Sequence, residues 1–223
     1  MPDIVTYKRD GDIAIITLND GKANAFTFDM IAEVDKALDK AEQETKAVII
    51  TGRAGIFCGG FDLKTMMDGG AGREKILLEG FTLSYKIMNF PHPIVIASTG
   101  HALAYGGVLL LSADYRICSD GSFKIGLNEI AIGLVMPEYG VDLVRDRIAL
   151  SHQIPALANS ILYDPQHAIA AGFIDEVVPA EETLNRAKEV ATQLTKLDMH
   201  AHAETKRALR RDFLQKHKTV YGG

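Results

Sequence analysis

The feature that most constrains the fold of this chain is a pair of glycine-rich loops, residues 52–60 and 100–107. Each loop follows a short apolar stretch that is typical of a buried strand, and each leads into a helical pattern. Glycine allows a ligand to approach the backbone closely, and a helix N-terminus directs free N–H groups at negative charge. Neither loop has the glycine spacing of a dinucleotide site or a P-loop. We therefore expect both loops to carry the chemistry of the protein.

Apolar patterns predict short strands that alternate with helices along the chain. Strands at residues 4–8 and 12–18 flank the turn Asp10-Gly11 and are typical of a β-hairpin. Thr27 is a predicted helix N-cap, because apolar positions at helical spacing follow it. Further strands are predicted at residues 46–51, 94–98, 115–118, 123–125 and 175–178, and further helices at residues 73–90, 108–113, 139–150, 151–159, 165–171, 181–197 and 199–217. The alternation indicates an α/β core with a mostly helical C-terminal region, and residues 52–62 are predicted to be a loop.

Composition narrows the classes of protein to which the chain can belong. Its 223 residues, 47% of them hydrophobic, suffice for one good-sized domain with a small helical appendage. The net charge of −5 argues against binding to nucleic acid or to an anionic membrane. No apolar run is long enough to span a bilayer, and the N-terminus lacks the pattern of a signal peptide. Because Cys58 and Cys118 form no disulfide framework, we expect a cytoplasmic protein.

Two sequence blocks around the glycine-rich loops resemble one protein family. Residues 57–63 read Phe-Cys-Gly-Gly-Phe-Asp-Leu, and residues 100–117 read Gly-His-Ala-Leu-Ala-Tyr-Gly-Gly-Val-Leu-Leu-Leu-Ser-Ala-Asp-Tyr-Arg-Ile. In this order and on these elements, the blocks are similar to the signature of the crotonase (enoyl-CoA hydratase/isomerase) superfamily. The resemblance implies a spiral of repeated ββα units, with a core at residues 1–195 and a short C-terminal helical extension at 196–223. It also implies a homotrimer or hexamer.

The resemblance further implies an acyl-CoA substrate and a backbone oxyanion hole for its thioester oxygen. One N–H donor would be that of Phe61 in the first block, and the other that of Tyr105 or Gly106 in the second. Fixed N–H donors at a helix N-terminus stabilise the negative charge that develops on an enolate oxygen. A backbone donor is compatible with the bulky side chain at Phe61.

One carboxylate is expected to transfer the proton. Many hydratases of the family use two glutamates, and the first of these positions holds Val108 here, whereas the second holds Glu129. A single carboxylate is enough for a 1,3 proton shift, so the pattern favours Δ3,Δ2-enoyl-CoA isomerisation. Hydration of a 2-enoyl-CoA is the alternative, with Glu138 or Asp142 as a second acid. A non-catalytic acyl-CoA-binding subunit is the third hypothesis.

The resemblance also suggests which residues contact coenzyme A, which would enter as part of the substrate rather than as a permanently bound cofactor. We expect these contacts from Lys22, Ala23, Ala25, Gly59, Gly60, Asp62, Leu63 and Lys64. The two lysines would meet the phosphates. No metal site is expected, since His200 and His202 lack further clustered ligands.

Overall fold

The computed structural model describes residues 3–222, which form nine strands and ten α-helices. The strands are β1 (Val5–Asp10), β2 (Ile13–Leu18), β3 (Ala47–Thr51), β4 (Gly55–Cys58), β5 (Ile94–Ser98), β6 (Gly100–Leu103), β7 (Tyr115–Ser119), β8 (Ile125–Gly126) and β9 (Glu176–Val178). The α-helices are α1 (Phe28–Glu44), α2 (Leu63–Asp68), α3 (Gly70–Asn89), α4 (Tyr105–Ser112), α5 (Glu138–Arg147), α6 (Leu150–Gln153), α7 (Pro165–Ala171), α8 (Thr183–Leu194), α9 (Met199–Leu209) and α10 (Arg211–Tyr221).

Six strands form the main sheet, in the order β1-β2-β3-β5-β7-β9. The predicted hairpin of β1 and β2 is antiparallel, and every later pairing in this sheet is parallel. All five residues of β3 and all five of β5 are buried. Burial on both faces explains why these strands read as continuous apolar runs, as is usual for parallel sheets covered by helices.

Alternating side chains of the main sheet enter two different cores. One face packs against α8 through a set that comprises Ile13, Ile15, Ala47, Ile49, Val95, Ala97, Ile117, Ala187, Val190 and Ala191. The opposite face, with side chains such as Ile16, Ile50 and Ile96, belongs to the larger core that includes buried residues of α1, α3 and α4. The prediction of an N-cap at Thr27 is confirmed, because its side chain accepts a hydrogen bond from the Met30 N–H.

A second sheet of three short strands, in the order β4-β6-β8, accompanies the main sheet. From β3 onward the chain repeats one pattern: a strand of the main sheet is followed directly by a strand of the small sheet. Helices come next after β4 and β6. The repeat brings the end of β4, the start of α4 and the end of β8 to the same region of the molecule.

The sequence-based interpretation of both glycine-rich loops is wrong in part. The predicted loop at residues 52–62 contains β4, and the predicted turn at residues 100–107 contains β6 and the first residues of α4. These strands pair with one another, and a Cβ at Gly100 would overlap the carbonyl group of Gly55. Because the pairing depends on close backbone contact between distant segments, neither strand has an apolar period that a local pattern would detect.

The predicted tail helix at residues 199–217 is two helices, α9 and α10, which are separated at Arg210. Both terminal nitrogens of the Arg210 guanidinium are used inside the protein: Nη1 donates to the Met88 carbonyl, and Nη2 pairs with Asp114. Helix α10 packs against α3 and α5. No helix among the described residues is long and apolar enough to cross a membrane. The predicted division of the chain after residue 195 stays a prediction.

Candidate active site

The two glycine-rich blocks meet where β4 ends and α4 begins. A Cβ at Gly106 would lie 2.6 Å from the carbonyl oxygen of Cys58, so only glycine permits this approach of α4 to the first block. On the other side of the contact, a Cβ at Gly60 would lie 3.0 Å from the Cβ of Ala104 and 3.8 Å from the backbone nitrogen of Tyr105. Both loops therefore present their backbones to one small region.

Two backbone N–H groups near this contact lack a protein acceptor. The Phe26 N–H donates to the Gly60 carbonyl at 2.9 Å and the Asp62 N–H donates to the Phe26 carbonyl at 3.1 Å, while the intervening Phe61 N–H reaches no acceptor between residues 3 and 222. Tyr105 is the first residue of α4, so its N–H has no intrahelical acceptor. Gly106 follows it in the first turn. The arrangement leaves donors available for a ligand oxygen.

A cavity of about 570 Å³ opens beside these loops. Its wall is mostly apolar and combines the first block, α2, α3, α4 and the segment after β8. The lining residues are Gly59, Gly60, Phe61, Leu63, Met66, Arg73, Leu77, Phe81, Ala104, Val108, Asn128, Glu129, Ile132, Gly133, Leu134, Val135, Met136 and Pro137. Ala104 and Val108 represent the second block, whereas Tyr105 and Gly106 are buried between them. An apolar cavity with a few convergent polar groups is typical of a small-molecule site.

Glu129 is the acidic residue in the cavity wall. It follows the short strand β8 and precedes a 3₁₀ turn at Ile130–Ile132. Its Oε2 atom is buried and has no hydrogen-bond partner among the described residues. Burial raises the pKa of Glu129 to about 7, because the apolar surroundings disfavour the charged form. A carboxyl with this pKa can both accept and release a proton near neutral pH.

No second carboxylate lines the cavity among the described residues. Val108, at the position where many hydratases of the family carry a glutamate, is buried and forms part of the wall. The two candidates for a second acid lie elsewhere on α5. Glu138 pairs with Lys216 at 2.7 Å, and Asp142 pairs with the same lysine at 2.6 Å and with His217 at 3.0 Å. Neither residue lines the cavity, so the geometry gives no support to a second acid, and that alternative stays a prediction.

The predicted coenzyme contacts divide into two groups. Gly59, Gly60 and Leu63 line the cavity, and the loop with Ala23 lies along them, since the Gly59 N–H donates to the Ala23 carbonyl at 2.8 Å. Ala25 is partly buried in the same loop.

The charged members of the predicted set do not line the cavity. Lys22 and Lys64 are exposed. Asp62 is the N-cap of α2, where its carboxylate accepts from the N–H and the hydroxyl of Thr65, and these hydrogen bonds lower its pKa. The Asp62 side chain is thus already occupied within the protein.

Three residues of this region were missed by the sequence interpretation. Arg73, near the start of α3, lines the cavity and forms no ion pair with a described residue. Asn128 lines it too, and its Oδ1 atom is buried without a partner. Asn24 is buried and donates to the carbonyls of Leu18 and Phe57, so it fastens the loop with Ala23 to β4. Only the position of Asn128 next to Glu129 carried a signal in the sequence.

Comparisons with known proteins match nearly the whole chain to one family. The family model described as enoyl-CoA hydratase/isomerase matches residues 8–221. The fold is similar to that of an enoyl-CoA hydratase/isomerase family protein from Pseudomonas syringae, with a TM-score of 0.95, 42% identity, and coverage of 98% of this chain and 95% of that one. It is also similar to an enoyl-CoA isomerase from Mtb (TM-score 0.94, 36% identity, coverage 100% and 98%) and to an enoyl-CoA hydratase from Mycobacterium marinum (TM-score 0.94, 35% identity, coverage 99% and 97%).

These comparisons confirm the α/β fold of the crotonase type that the two blocks predict. The match is not confined to the motifs, because the family model and each structural similarity extend over nearly the whole chain. The chain therefore belongs to the enoyl-CoA hydratase/isomerase family of the crotonase superfamily.

Proposed function

We propose that this protein is a Δ3,Δ2-enoyl-CoA isomerase in which Glu129 alone moves the proton. The observation that carries the proposal is that, among residues 3–222, one carboxylate lines the apolar cavity and one of its oxygens is buried without a partner. A 1,3 shift needs one group that removes a proton at one carbon and returns it at another. Hydration is helped by a second acid, and the cavity wall has Val108 at the corresponding position.

The reaction would proceed through a dienolate. Glu129 removes a proton from C2 of the 3-enoyl thioester, and the electron pair of that C–H bond moves toward the thioester oxygen. In the return step the negative oxygen re-forms the thioester carbonyl and the C1–C2 double bond of the dienolate becomes a C2–C3 double bond. The electron pair of the C3–C4 double bond forms the new C4–H bond with the proton from the Glu129 carboxyl. A pKa of about 7 suits both steps, since the carboxylate is present to accept and the acid form is accessible to donate.

The N–H groups of Phe61 and of Tyr105 or the adjacent Gly106 would hold the thioester oxygen. Negative charge on that oxygen is greatest in the dienolate, so fixed donors stabilise the intermediate more than the substrate. Each such donor typically contributes about 10²–10³-fold in kcat. Two free N–H groups at the contact between the glycine-rich blocks support this assignment.

The coenzyme part of the substrate would lie along the loop with Ala23 and Ala25. It would also contact the backbone of Gly59, Gly60, Asp62 and Leu63. Lys22 and Lys64 would meet phosphates at the exposed end, and we add Arg73, a cation in the cavity wall, to this set. Coenzyme A is thus proposed as a part of the substrate and not as a resident cofactor. Assembly as a homotrimer or hexamer belongs to the same proposal.

One observation favours hydration of a 2-enoyl-CoA as a second candidate function. Asn128 Oδ1 and Glu129 Oε2 are both buried, unpartnered and in the wall of one cavity, so together they offer two acceptors to a water molecule. Structural relatives of nearly equal identity carry the names isomerase and hydratase. The third candidate, a non-catalytic acyl-CoA-binding subunit, predicts binding without turnover.

Product analysis with a glutamine variant tests the proposal. The protein is incubated separately with a 3-enoyl-CoA and a 2-enoyl-CoA, and the products are identified by mass and chromatographic mobility. We expect isomerisation of the 3-enoyl ester, and a loss of about 10²–10⁴-fold in kcat for Glu129→Gln, because general acid–base catalysis is worth that factor. Binding of a saturated acyl-CoA should stay within about twofold of wild type.

The matched control is Glu138→Gln, the same substitution at an exposed carboxylate outside the cavity. It should retain wild-type kcat. A Glu129→Gln enzyme with unchanged turnover would rule out Glu129 as the base. A wild-type enzyme that makes only 3-hydroxyacyl-CoA from the 2-enoyl ester would replace isomerisation by hydration.

A further inference from the structure

Two of the residues proposed as oxyanion donors, Phe61 and Tyr105, carry aromatic side chains that contact each other. Their rings are stacked, with centroids 4.1 Å apart and planes inclined by 26°. Each ring is joined through Cβ to the Cα whose own N–H is a proposed donor. The stack therefore restrains the separation of the two backbone donors, which come from segments more than forty residues apart in the chain.

The Tyr105 side chain is held on its remaining sides as well. It is fully buried, and its hydroxyl donates a hydrogen bond to the Gly80 carbonyl in the middle of α3. The edge of Phe26 meets its ring at a centroid distance of 4.9 Å. Gly80 makes room for the arrangement, because a Cβ there would overlap the ring of Phe61. Tyr105, Phe61 and Gly80 thus form one set of contacts at the middle of α3.

The backbone just before Tyr105 is strained. Ala104 has φ 51° and ψ −117°, a conformation that residues with a Cβ rarely adopt. The peptide group between Ala104 and Tyr105 carries the Tyr105 N–H, so ψ of Ala104 decides where that N–H points. A strained conformation persists only where surrounding contacts hold it. The Ala104 N–H donates to the Gly126 carbonyl at 2.9 Å and the Ala104 carbonyl accepts from the Val108 N–H at 3.1 Å, while the Tyr105 side chain fixes the other end of the peptide.

We propose that Tyr105 is a positioning residue of the oxyanion hole. Its ring, stacked on Phe61, and its hydroxyl, bound to the Gly80 carbonyl, hold the strained Ala104–Tyr105 peptide so that both N–H donors converge on one oxygen. The inference rests on the proposed function only for the identity of the donors. It assigns to Tyr105, Phe61 and Gly80 a joint role that goes beyond packing.

Removing the Tyr105 hydroxyl alone tests the role of its hydrogen bond to the Gly80 carbonyl. In Tyr105→Phe the stack remains and the hydrogen bond to α3 is lost, so we expect kcat to fall about tenfold with KM nearly unchanged, because the donors act mainly on the dienolate. The control is Tyr139→Phe, since Tyr139 is also fully buried, and its hydroxyl hydrogen-bonds to Ser84 at 2.9 Å and not to Gly80. The control should keep wild-type kcat.

A second variant reaches the same contact set from α3. Gly80→Ala should displace the Phe61 ring and lower kcat by about tenfold. In the double variant with Tyr105→Phe, kcat should fall by less than the product of the two single effects, because both substitutions loosen the same contacts among Tyr105, Phe61 and Gly80.

A readout without turnover separates this inference from the proposed function. A 3-ketoacyl-CoA ionises at C2 to an enolate that absorbs in the near ultraviolet, and bound donors lower the apparent pKa of that ionisation. Titration of the complex should show a lower apparent pKa with wild type than in free solution. With Tyr105→Phe it should rise by about one pH unit, the equivalent of tenfold weaker enolate stabilisation. Tyr139→Phe should match wild type.

Each outcome decides one of the two hypotheses. If the wild-type protein lowers the enolate pKa but isomerises no enoyl-CoA, the proposed reaction is wrong. The titration then still tests the positioning role of Tyr105. If Tyr105→Phe and Gly80→Ala both keep wild-type kcat and wild-type enolate pKa, the positioning role is wrong. An equal loss in Tyr139→Phe would also overturn it, since the effect would then be a general consequence of removing a buried hydroxyl.

Discussion

Two acidic residues of this molecule, Glu129 and Asp114, are largely removed from water but have opposite surroundings. Asp114 accepts from the Lys206 ammonium at 2.7 Å, the Arg210 guanidinium at 2.9 Å and the Ile94 N–H at 2.8 Å. Glu129 lies in the cavity wall, and its Oε2 has no partner among the described residues. The first region joins the C-terminal helices to the sheet, and the second faces the space where a ligand would bind.

The difference shows how one protein uses buried charge in two ways. Around Asp114 the cost of burying charge is offset by ion pairs and hydrogen bonds. Removing one of the charged side chains would leave the others buried without a compensating charge. Burial still lowers the pKa of Lys206 to about 8. Around Glu129 the cost of burying the charged form is not offset by a partner, so the pKa of Glu129 is raised into the range that acid–base chemistry requires. The ion pairs of the first region hold the C-terminal helices to the sheet. The buried carboxylate of the second region lowers the stability of the fold when it is charged, but it is suited to proton transfer.

The largest effect on stability is expected from Asp114→Ala. The substitution leaves Lys206 and Arg210, whose side chains are 6% and 5% exposed, without their carboxylate. We expect the free energy of unfolding to fall by about 3–5 kcal/mol, measured by urea unfolding. Asp12→Ala, which breaks a half-exposed pair with Lys46, is the control and should cost much less, because solvent screens an exposed pair. Equal effects of the two substitutions would contradict the comparison.

A smaller effect of opposite sign is expected from Glu129→Gln. The folded-state pKa of about 7 lies above the ordinary 4.5, so the folded protein binds this proton more tightly than the unfolded chain does. Stability therefore falls as pH rises from about 4.5 to about 7, because the unfolded chain releases this proton first, by up to about 3 kcal/mol at about 1.4 kcal/mol per pH unit. The variant carries no charge there and should be more stable than wild type at pH 8–9.

The advantage of the Glu129→Gln variant should shrink as pH falls from about 7 toward the ordinary carboxyl value of 4.5, where wild type is protonated in both states. Urea unfolding of both proteins at several pH values measures it. A stability difference that does not change with pH would show that Glu129 is not buried as a charge in the cavity wall.

The smallest effect is expected from Glu138→Gln. Its carboxylate is largely exposed and pairs with Lys216, so the free energy of unfolding should change by less than about 1 kcal/mol. Thermal unfolding and turnover measured on the same preparation test both halves of this prediction. A marked loss of turnover would restore Glu138 as an acid of the reaction and would weaken the contrast drawn around Glu129.

Much of the fold could be predicted because its signals are local. The hairpin of β1 and β2, the N-cap at Thr27 and the buried strands β3 and β5 are all visible as turn residues, caps and apolar runs. The short strands β4 and β6 could not be predicted, since they are glycine-rich and exist through their pairing with each other. Helix α2 is too short for a periodic signal.

The candidate site divides in the same way. Phe61 and Glu129 were predicted from the two blocks and the segment that follows them, and the structure places both in the wall of one cavity. Arg73 enters that wall from α3, and nothing in its local sequence distinguishes it from a solvated helix residue. The ion pair of Glu138 with Lys216 of α10 also joins segments far apart in the chain, which is why the sequence left Glu138 open as an acid.

The sequence by itself determined the family, the α/β alternation and the two glycine-rich blocks, because glycine positions, caps and apolar periods are properties of neighbouring residues. Tertiary structure alone decided which carboxylates are paired and which one is left unpaired, since Asp114 meets Lys206 across ninety-two positions of the chain. It also decided that Tyr105, a candidate donor in the second block, has a buried ring stacked on Phe61. The physical reason is that burial, charge pairing and ring stacking depend on residues brought together from distant segments.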